Sequence, residues 1–321
     1  MENYSEHYSV MNRDILDYLS NNFSIDQKIN ICDLTFGAGG HTLKIAKTFT
    51  NSRLISFDQD PEAYENGLNL IKNNNLEDRV VLLHTNFENF SEQPQVLENN
   101  FHLIMMDLGV SSHHFDDQKR GFSFRFDAEL DMRMDISNDN LLTAAEIINQ
   151  MDEEDLANLI FKYGEERYSR RIASRIVEKR KEKAIKTTKE LEEICFLAYP
   201  AKERHKRIHP ATKTFQALRI AVNRELEVLE NTLPKLFDKL EENGMVAVIS
   251  FHSLEDRIVK HTFKEIFQSH KNTAKIITKK PQLPSEEEVN ENPRSRSAKL
   301  RVLQKVSPGG NYSGKKKEKR K

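Results

Sequence analysis

The stretch DLTFGAGGH, residues 33–41, sets an acid at the end of a strand-forming run, followed by three glycines within four positions and a histidine. Gly37, Gly39 and Gly40 would let backbone approach a ligand closely at a strand-to-helix turn, which is how nucleotide-type cofactors are held against a sheet. The glycines alone do not say which cofactor. Where a dinucleotide fingerprint would carry its third glycine, this chain has Leu43. Asp58 follows Gly39 by 19 residues and ends the next apolar run, a place where a carboxylate suits a ribose diol. Asp33, beside the loop, would repel a pyrophosphate but favour a ligand bearing an ammonium and a sulfonium. These charges predict S-adenosylmethionine as the cofactor.

Phe87, in HTNFENF, falls at the adenine end of such a site, where it could stack on the base or belong to the core. Asp107, in MMDLGVSSHH, ends a further apolar run and would lie between cofactor and acceptor. An exocyclic amine delocalises its lone pair into its ring. To attack an aligned methyl it needs an acceptor on its N–H groups. Asp107 is the residue expected to serve such an amine, with cofactor binding alone as the alternative. The Asp/Asn-Pro-Pro-aromatic sequence common among amine-methylating enzymes is absent at this point. RGFSFRF brings Phe122, Phe124 and Phe126 to one face with Arg120 and Arg125 nearby. That set suits stacking of an unpaired base, or equally a short strand that covers the core. SFHSLEDR places His252 and Ser253 at the end of another apolar run, where His252 either meets the acceptor or holds its loop.

The elements that must position these residues are legible in the periodicity. INICDLTFG, RLISFD, RVVLLH and FHLIMMDLG are short, nearly continuous apolar runs, as expected of parallel strands buried on both faces. Helical segments separate them; Asp60-Pro61, for instance, reads as an N-cap followed by proline at the first helical position. Residues 141–199 read as helices, with a capping-box spacing at Thr187 and Glu190. From Pro210, Leu218, Val222, Leu226, Leu229 and Leu233 predict one long helix. MVAVISFH then resumes the winding, and AKIITKK and AKLRVLQKV read as a late strand pair. The architecture expected is an α/β domain interrupted by a helical insertion after its fourth strand, with residues 281–298 and 307–321 as loops or disordered segments.

The 321 residues are 31% charged and 37% hydrophobic, as in soluble globular chains, and no run approaches the ~18 apolar residues of a membrane span. Cys32 and Cys195 lie far apart without metal-ligand spacing, so neither a disulfide framework nor a metal site is expected. The first residues carry acids and lack an apolar signal-peptide core, so a cytoplasmic protein is expected. Net charge is −1, yet residues 160–224 hold eighteen Lys/Arg against eight Glu and no Asp. Such a concentration points to a polyanionic partner.

Together HYSV, DLTFGAGGH, DQDP, DLGVSS, RGFSF, LDMRMD, YGEER, HPATKTFQALRIAVNREL, ISFHSLEDRIVK and NPRSRSAKLRV run almost from end to end. In them the chain resembles the MraW-type bacterial ribosomal RNA small-subunit methyltransferases. The resemblance implies a Rossmann-like class I S-adenosylmethionine-dependent methyltransferase fold with an inserted all-helical domain. It implies methylation of the N4 amine of a decoding-site cytosine in 16S ribosomal RNA, within the small subunit. Carried over residue by residue, the cofactor contacts are Gly39, Gly40, His41, Asp58, Phe87, Asp107 and His114. The last departs from the family's usual glutamine and puts that side-chain hydrogen bond in doubt. The expected organisation is a methyltransferase domain over 1–114 and 212–321, an RNA-recognising helical insertion over 115–211, and a disordered basic tail over 307–321. No membrane and no metal are expected, and oligomeric state is open, a homodimer included. The alternatives are a non-catalytic RNA-binding ribosome-assembly factor, against which intact Gly37, Gly39, Asp58 and Asp107 argue, and an amino-methyltransferase acting on another nucleic acid.

Overall fold

The apolar runs form β1 (Asn30–Asp33), β2 (Arg53–Asp58), β3 (Val80–His84), β4 (Phe101–Asp107) and β5 (Leu240–Ser250). These belong to a computed structural model that describes residues 9–308 apart from 112, 113 and 116; most of the expected basic tail lies outside the described residues. Two later strands, β6 (Ala274–Ile276) and β7 (Lys299–Lys305), complete one seven-stranded sheet in the order β3-β2-β1-β4-β5-β7-β6. The first five pair in parallel, and β7 lies antiparallel to both its neighbours.

Adjacent residues on each strand enter different cores, because side chains alternate across a sheet. Ile31, Leu54, Leu103 and Met245 join one cluster; Cys32, Ile55, Ile104 and Val246 join the other. Both faces of the central strands are therefore covered, which is why their runs are apolar without alternation, whereas the edge strand β3 leaves Val81 exposed. On the first face lie α1 (Asn12–Asn22) and α2 (Gly40–Thr48), and on the second α10 (Ser253–Ser269). Strand order reverses between β1 and β4, so Asp33, Asp58 and Asp107 all end at one edge, where ligands bind in open α/β sheets.

Between β4 and β5 come α4 (Ala144–Gln150), α5 (Glu153–Gly164), α6 (Ser169–Glu182), α7 (Thr188–Ala198), α8 (Thr212–Val222) and α9 (Glu225–Thr232). Helices of 7 to 14 residues are marginal alone, and α4 to α8 share a third core built on Ile148, Ile160, Ile172, Leu191 and Leu218. Helix α8 follows the expected boundary at 211, yet it buries Phe215, Leu218 and Val222 in this third core. The capping boxes of Thr143 with Glu146 and Thr187 with Glu190 are formed.

Two expectations are overturned. The long helix from Pro210 is broken between α8 and α9, where Arg224 takes φ 51°. Left-handed backbone costs a non-glycine residue about 1–2 kcal/mol. At the break Asn223 accepts from the Met134 amide at 2.7 Å and donates to the Met132 carbonyl at 2.8 Å, and these buried bonds hold it. Residues 281–298 are not loose. They include α11 (Glu286–Glu291), whose buried Glu288 accepts from the Met11 amide at 2.6 Å.

Candidate active site

The glycine loop is organised from below by Asp33. This carboxylate is fully buried, accepts from the Thr35 amide at 3.1 Å and the Thr42 hydroxyl at 2.8 Å, and does not line the cavity above. It therefore shapes the turn rather than facing a ligand, which corrects its expected place on an acidic rim. Gly39 has φ 76°, and a Cβ there would lie 2.6 Å from Phe36 and 2.7 Å from Leu70. Its side-chain space is taken by the protein core, and Gly39 is absent from the cavity wall, which Gly37, Gly40 and His41 share.

Asp58 closes the second side. Its two carboxylate oxygens accept from the amides of Gly37 at 2.7 Å and Asp60 at 2.9 Å. Burial nevertheless pushes its pKa up to about 7, since the neighbouring Asp60 and Asp33 add negative charge and only backbone dipoles oppose them. Asp60 behaves oppositely. It caps α3 (Pro61–Asn73) by accepting from the Glu62 amide, and its other oxygen lies 2.7 Å from both Arg120 Nη1 and His114 Nε2. Burial works against its ionisation, but His114 and Arg120 outweigh it and hold the carboxyl down at about 2.

Arg120 is itself buried and also donates to the carbonyls of Arg133 (2.9 Å) and Met134 (2.6 Å). The strap from 120 to 134 is thereby pinned over the cofactor side of the sheet. A Cβ on Gly121, at φ 75°, would lie 2.3 Å from the Glu129 carbonyl, so the turn inside the strap admits only glycine. RGFSFRF is thus a loop, not a strand. Phe122 and Phe124 face the cavity, whereas Phe126 gives only its carbonyl, to the Thr188 hydroxyl.

Asp107 stands at the third side. Its amide donates to the Thr35 hydroxyl at 2.6 Å, and its Oδ2 lies 3.4 Å from Nε2 of the buried His41. Burial alone would lower the His41 pKa. Asp107, Asp33 and Glu288 outweigh it and raise the pKa, favouring the charged imidazole among these carboxylates. Among the described residues nothing hydrogen-bonds Asp107 Oδ1, although that atom is buried.

These groups surround one cavity of about 580 Å³, within the range of small-molecule sites. It runs from Asp58 and Phe87 past Asp107 to Phe124 and Phe215, and reaches Asn292 and Ser297 of the late segment. Six of the seven expected cofactor residues line it: Gly40, His41, Asp58, Phe87, Asp107 and His114. Phe87 lines the cavity and also packs partly against the second core, which is the core reading of it. At His114, Nδ1 receives the Ser111 amide at 3.2 Å while Nε2 faces Asp60. His252 caps α10 in a box with Glu255, which is the loop-holding role. Glu225, His252 and Glu255 bring candidate ligand atoms within 4.8 Å of one another. Arg219, however, donates to both oxygens of Glu225 at 2.8 and 2.9 Å, and Glu255 is occupied with capping.

Sequence reasoning missed Asp60, read only as an N-cap, and the cavity wall at 292–297. The DQDP motif carried a signal for the first, since a second carboxylate two residues from Asp58 requires a cation from elsewhere.

The MraW methylase family model matches residues 4–306. A protein of Synechococcus elongatus named ribosomal RNA small subunit methyltransferase H is 48% identical over 305 residues, covering 94% of this chain and 95% of that protein. Proteins of the same name from Nostoc punctiforme (45% over 303 residues, 94% of each chain) and Sulfurihydrogenibium sp. (44% over 302 residues, 94% of this chain and 99% of that one) are similarly related.

Proposed function

The chain belongs to the MraW methylase family, and from that premise we propose that it methylates the exocyclic N4 amine of a decoding-site cytosine in 16S ribosomal RNA. The observation that carries this reading is that one cavity is lined by Asp58, Asp107 and Phe124 together, with an Asp107 oxygen that no described residue hydrogen-bonds. Relatives named for small-subunit ribosomal RNA support the substrate.

S-adenosylmethionine supplies a methyl group on a positively charged sulfur. The wall fits such a ligand: the carboxylates of Asp58 and Asp107 line it and attract the sulfonium and ammonium. Asp58 accepts from the ribose hydroxyls, and Phe87 offers an apolar face to the adenine. Asp107 accepts an N–H of the target amine, which localises the amine's lone pair, and then receives the proton that the methylated amine gives up. His41, whose Nε2 lies 3.4 Å from Asp107 Oδ2, holds that carboxylate in place. The basic stretch 160–207 of the insertion grips phosphates while the cavity takes an unstacked base. No helix of the described residues is long and apolar enough to cross a membrane.

Nucleoside mass spectrometry of 16S RNA from a deletion strain tests the proposal. Loss of an N4-methylated cytosine, restored by the wild-type gene, is the expected result; an unchanged nucleoside profile would refute it.

A further result is expected of Asp58. Its carboxylate must be ionised to accept both ribose hydroxyls, and it titrates at about 7. Affinity for S-adenosylmethionine should therefore be full near pH 8 and fall as pH drops through 7, by up to about tenfold per unit. Asp58→Asn should bind about 10- to 150-fold more weakly at pH 8, the equivalent of roughly 1.5–3 kcal/mol. It should also lose the part of the pH dependence that Asp58 contributes. Calorimetry on both proteins at pH 6 and 8 decides, and identical slopes would place the ribose elsewhere.

A further inference from the structure

Phe124 is the first ring of a column that leads out of the cavity. It stacks on His209 with centroids 4.8 Å apart and 27° between planes, and His209 stacks in turn on Phe196 at 6.1 Å and 22°. Phe215 holds the inner ring edge-on at 5.1 Å. At the outer end Arg204 lies over Phe196 at 5.3 Å, fixed there by bonds from Nε to the Tyr199 carbonyl (3.0 Å) and from Nη2 to the Leu197 carbonyl (3.2 Å). His205 meets the same ring edge-on at 5.6 Å.

The segment that carries the outer end, KERHKRIH at 202–209, has four Lys/Arg and one acid. That acid, Glu203, is ion-paired with Arg167 and Lys206, and Glu192 is engaged with His209 at 3.2 Å. Lys202, His205, Lys206 and Arg207 are exposed. The rings cover one another's faces, so the column presents to RNA its outer end, where the partly exposed Arg204 guanidinium lies over Phe196 beside solvent-facing cations; an unpaired base stacks on such a planar cation and its phosphates find the charges. A duplex keeps its base faces covered and gains nothing from such rings.

We infer that the Phe124–His209–Phe196 column and the basic segment 202–207 form the track on which single-stranded RNA beside the target nucleotide leaves the cavity. The inference rests on the proposed RNA methylation and narrows its phosphate-gripping surface to the part that leads from the site. The strand runs outward from Phe124, with a neighbouring base on the Arg204 guanidinium that closes the Phe196 end and phosphates on Lys206 and Arg207.

Fluorescence anisotropy with a labelled single-stranded RNA of about twelve nucleotides, within the span such surfaces cover, and with its duplex, tests the track. Wild type should prefer the single strand. Phe196→Ala should weaken single-strand binding about tenfold or more. Lys206→Gln/Arg207→Gln, both on exposed positions that folding does not need, should reduce the log–log salt slope by about 1.4. Both variants should keep wild-type affinity for S-adenosylmethionine and, on small subunits, raise KM with kcat little changed. Unaltered single-strand affinity and salt slope in the double variant would overturn the track, as would equal affinity for the duplex. Either result leaves methylation standing. Binding that depends on the track in a protein that methylates no ribosomal RNA would uphold the track and refute the proposed reaction.

Discussion

Asp107→Ala is expected to lose methyl transfer by about 10²- to 10⁴-fold in kcat, the usual contribution of a positioned proton acceptor. The size follows from what surrounds the carboxylate. Oδ2 lies 3.4 Å from His41 Nε2, the buried Oδ1 has no hydrogen-bonding partner among the described residues, and the residue lines the cavity. A group so placed can accept from an amine in the transition state without being reorganised. Asp107→Asn keeps the shape but offers only one acceptor and removes the counter-charge of His41, so it should be impaired nearly as much. Single-turnover rates at saturating cofactor and small subunits isolate this step from cofactor affinity. Rates within twofold of wild type would mean that Asp107 binds the cofactor only, the alternative its position in the sequence left open.

Asp60→Ala should cost about 3–5 kcal/mol of folding stability, the effect of stripping one partner from a buried ion pair. Asp60 and Arg120 have side chains only 1% and 5% exposed, and the substitution removes the closest carboxylate of the guanidinium, leaving it the half-exposed Glu62 at 3.5 Å, and takes away the carboxylate facing His114 Nε2. The pair also carries a pH signature. The Asp60 carboxyl is depressed from about 3.8 to about 2, so its contribution is fully present above pH 4 and disappears as pH falls through 2. Urea unfolding of wild type and Asp60→Asn between pH 5 and pH 2 should therefore give curves that converge at the acid end. Parallel curves would mean that the pair contributes nothing.

The contrast between these aspartates marks what could be read in advance. Asp58 and Asp107 end apolar runs, and a run of buried strand is visible in composition because both faces need apolar side chains. Their place at one sheet edge follows from the winding. The partner of Asp60 was hidden, since Arg120 lies 60 residues away in a stretch whose phenylalanines suggest an RNA surface. The break at Asn223 was hidden for the same reason: leucine spacing continues across it, and only the distant carbonyl and amide of the strap explain the turn. Residues 281–298 lack apolar content, and polar bonds hold them instead. Glu288 accepts from Met11, and Gln282 bonds Asp14 and Tyr18. Hydrophobic periodicity cannot register such anchors.

The position of β7 has a consequence for biosynthesis. In chain order it is the last of the seven strands, yet it sits inside the sheet, making six paired positions with β5. Until residues 299–305 have been translated, β5 is an open edge able to pair with other chains. The N-terminal helix meanwhile waits for its anchors at Gln282, Glu288 and Gln304. A nascent chain can thus complete its helical insertion, which is contiguous in sequence, long before it can complete the methylating half. The cavity, whose wall includes Asn292 and Ser297, then closes late.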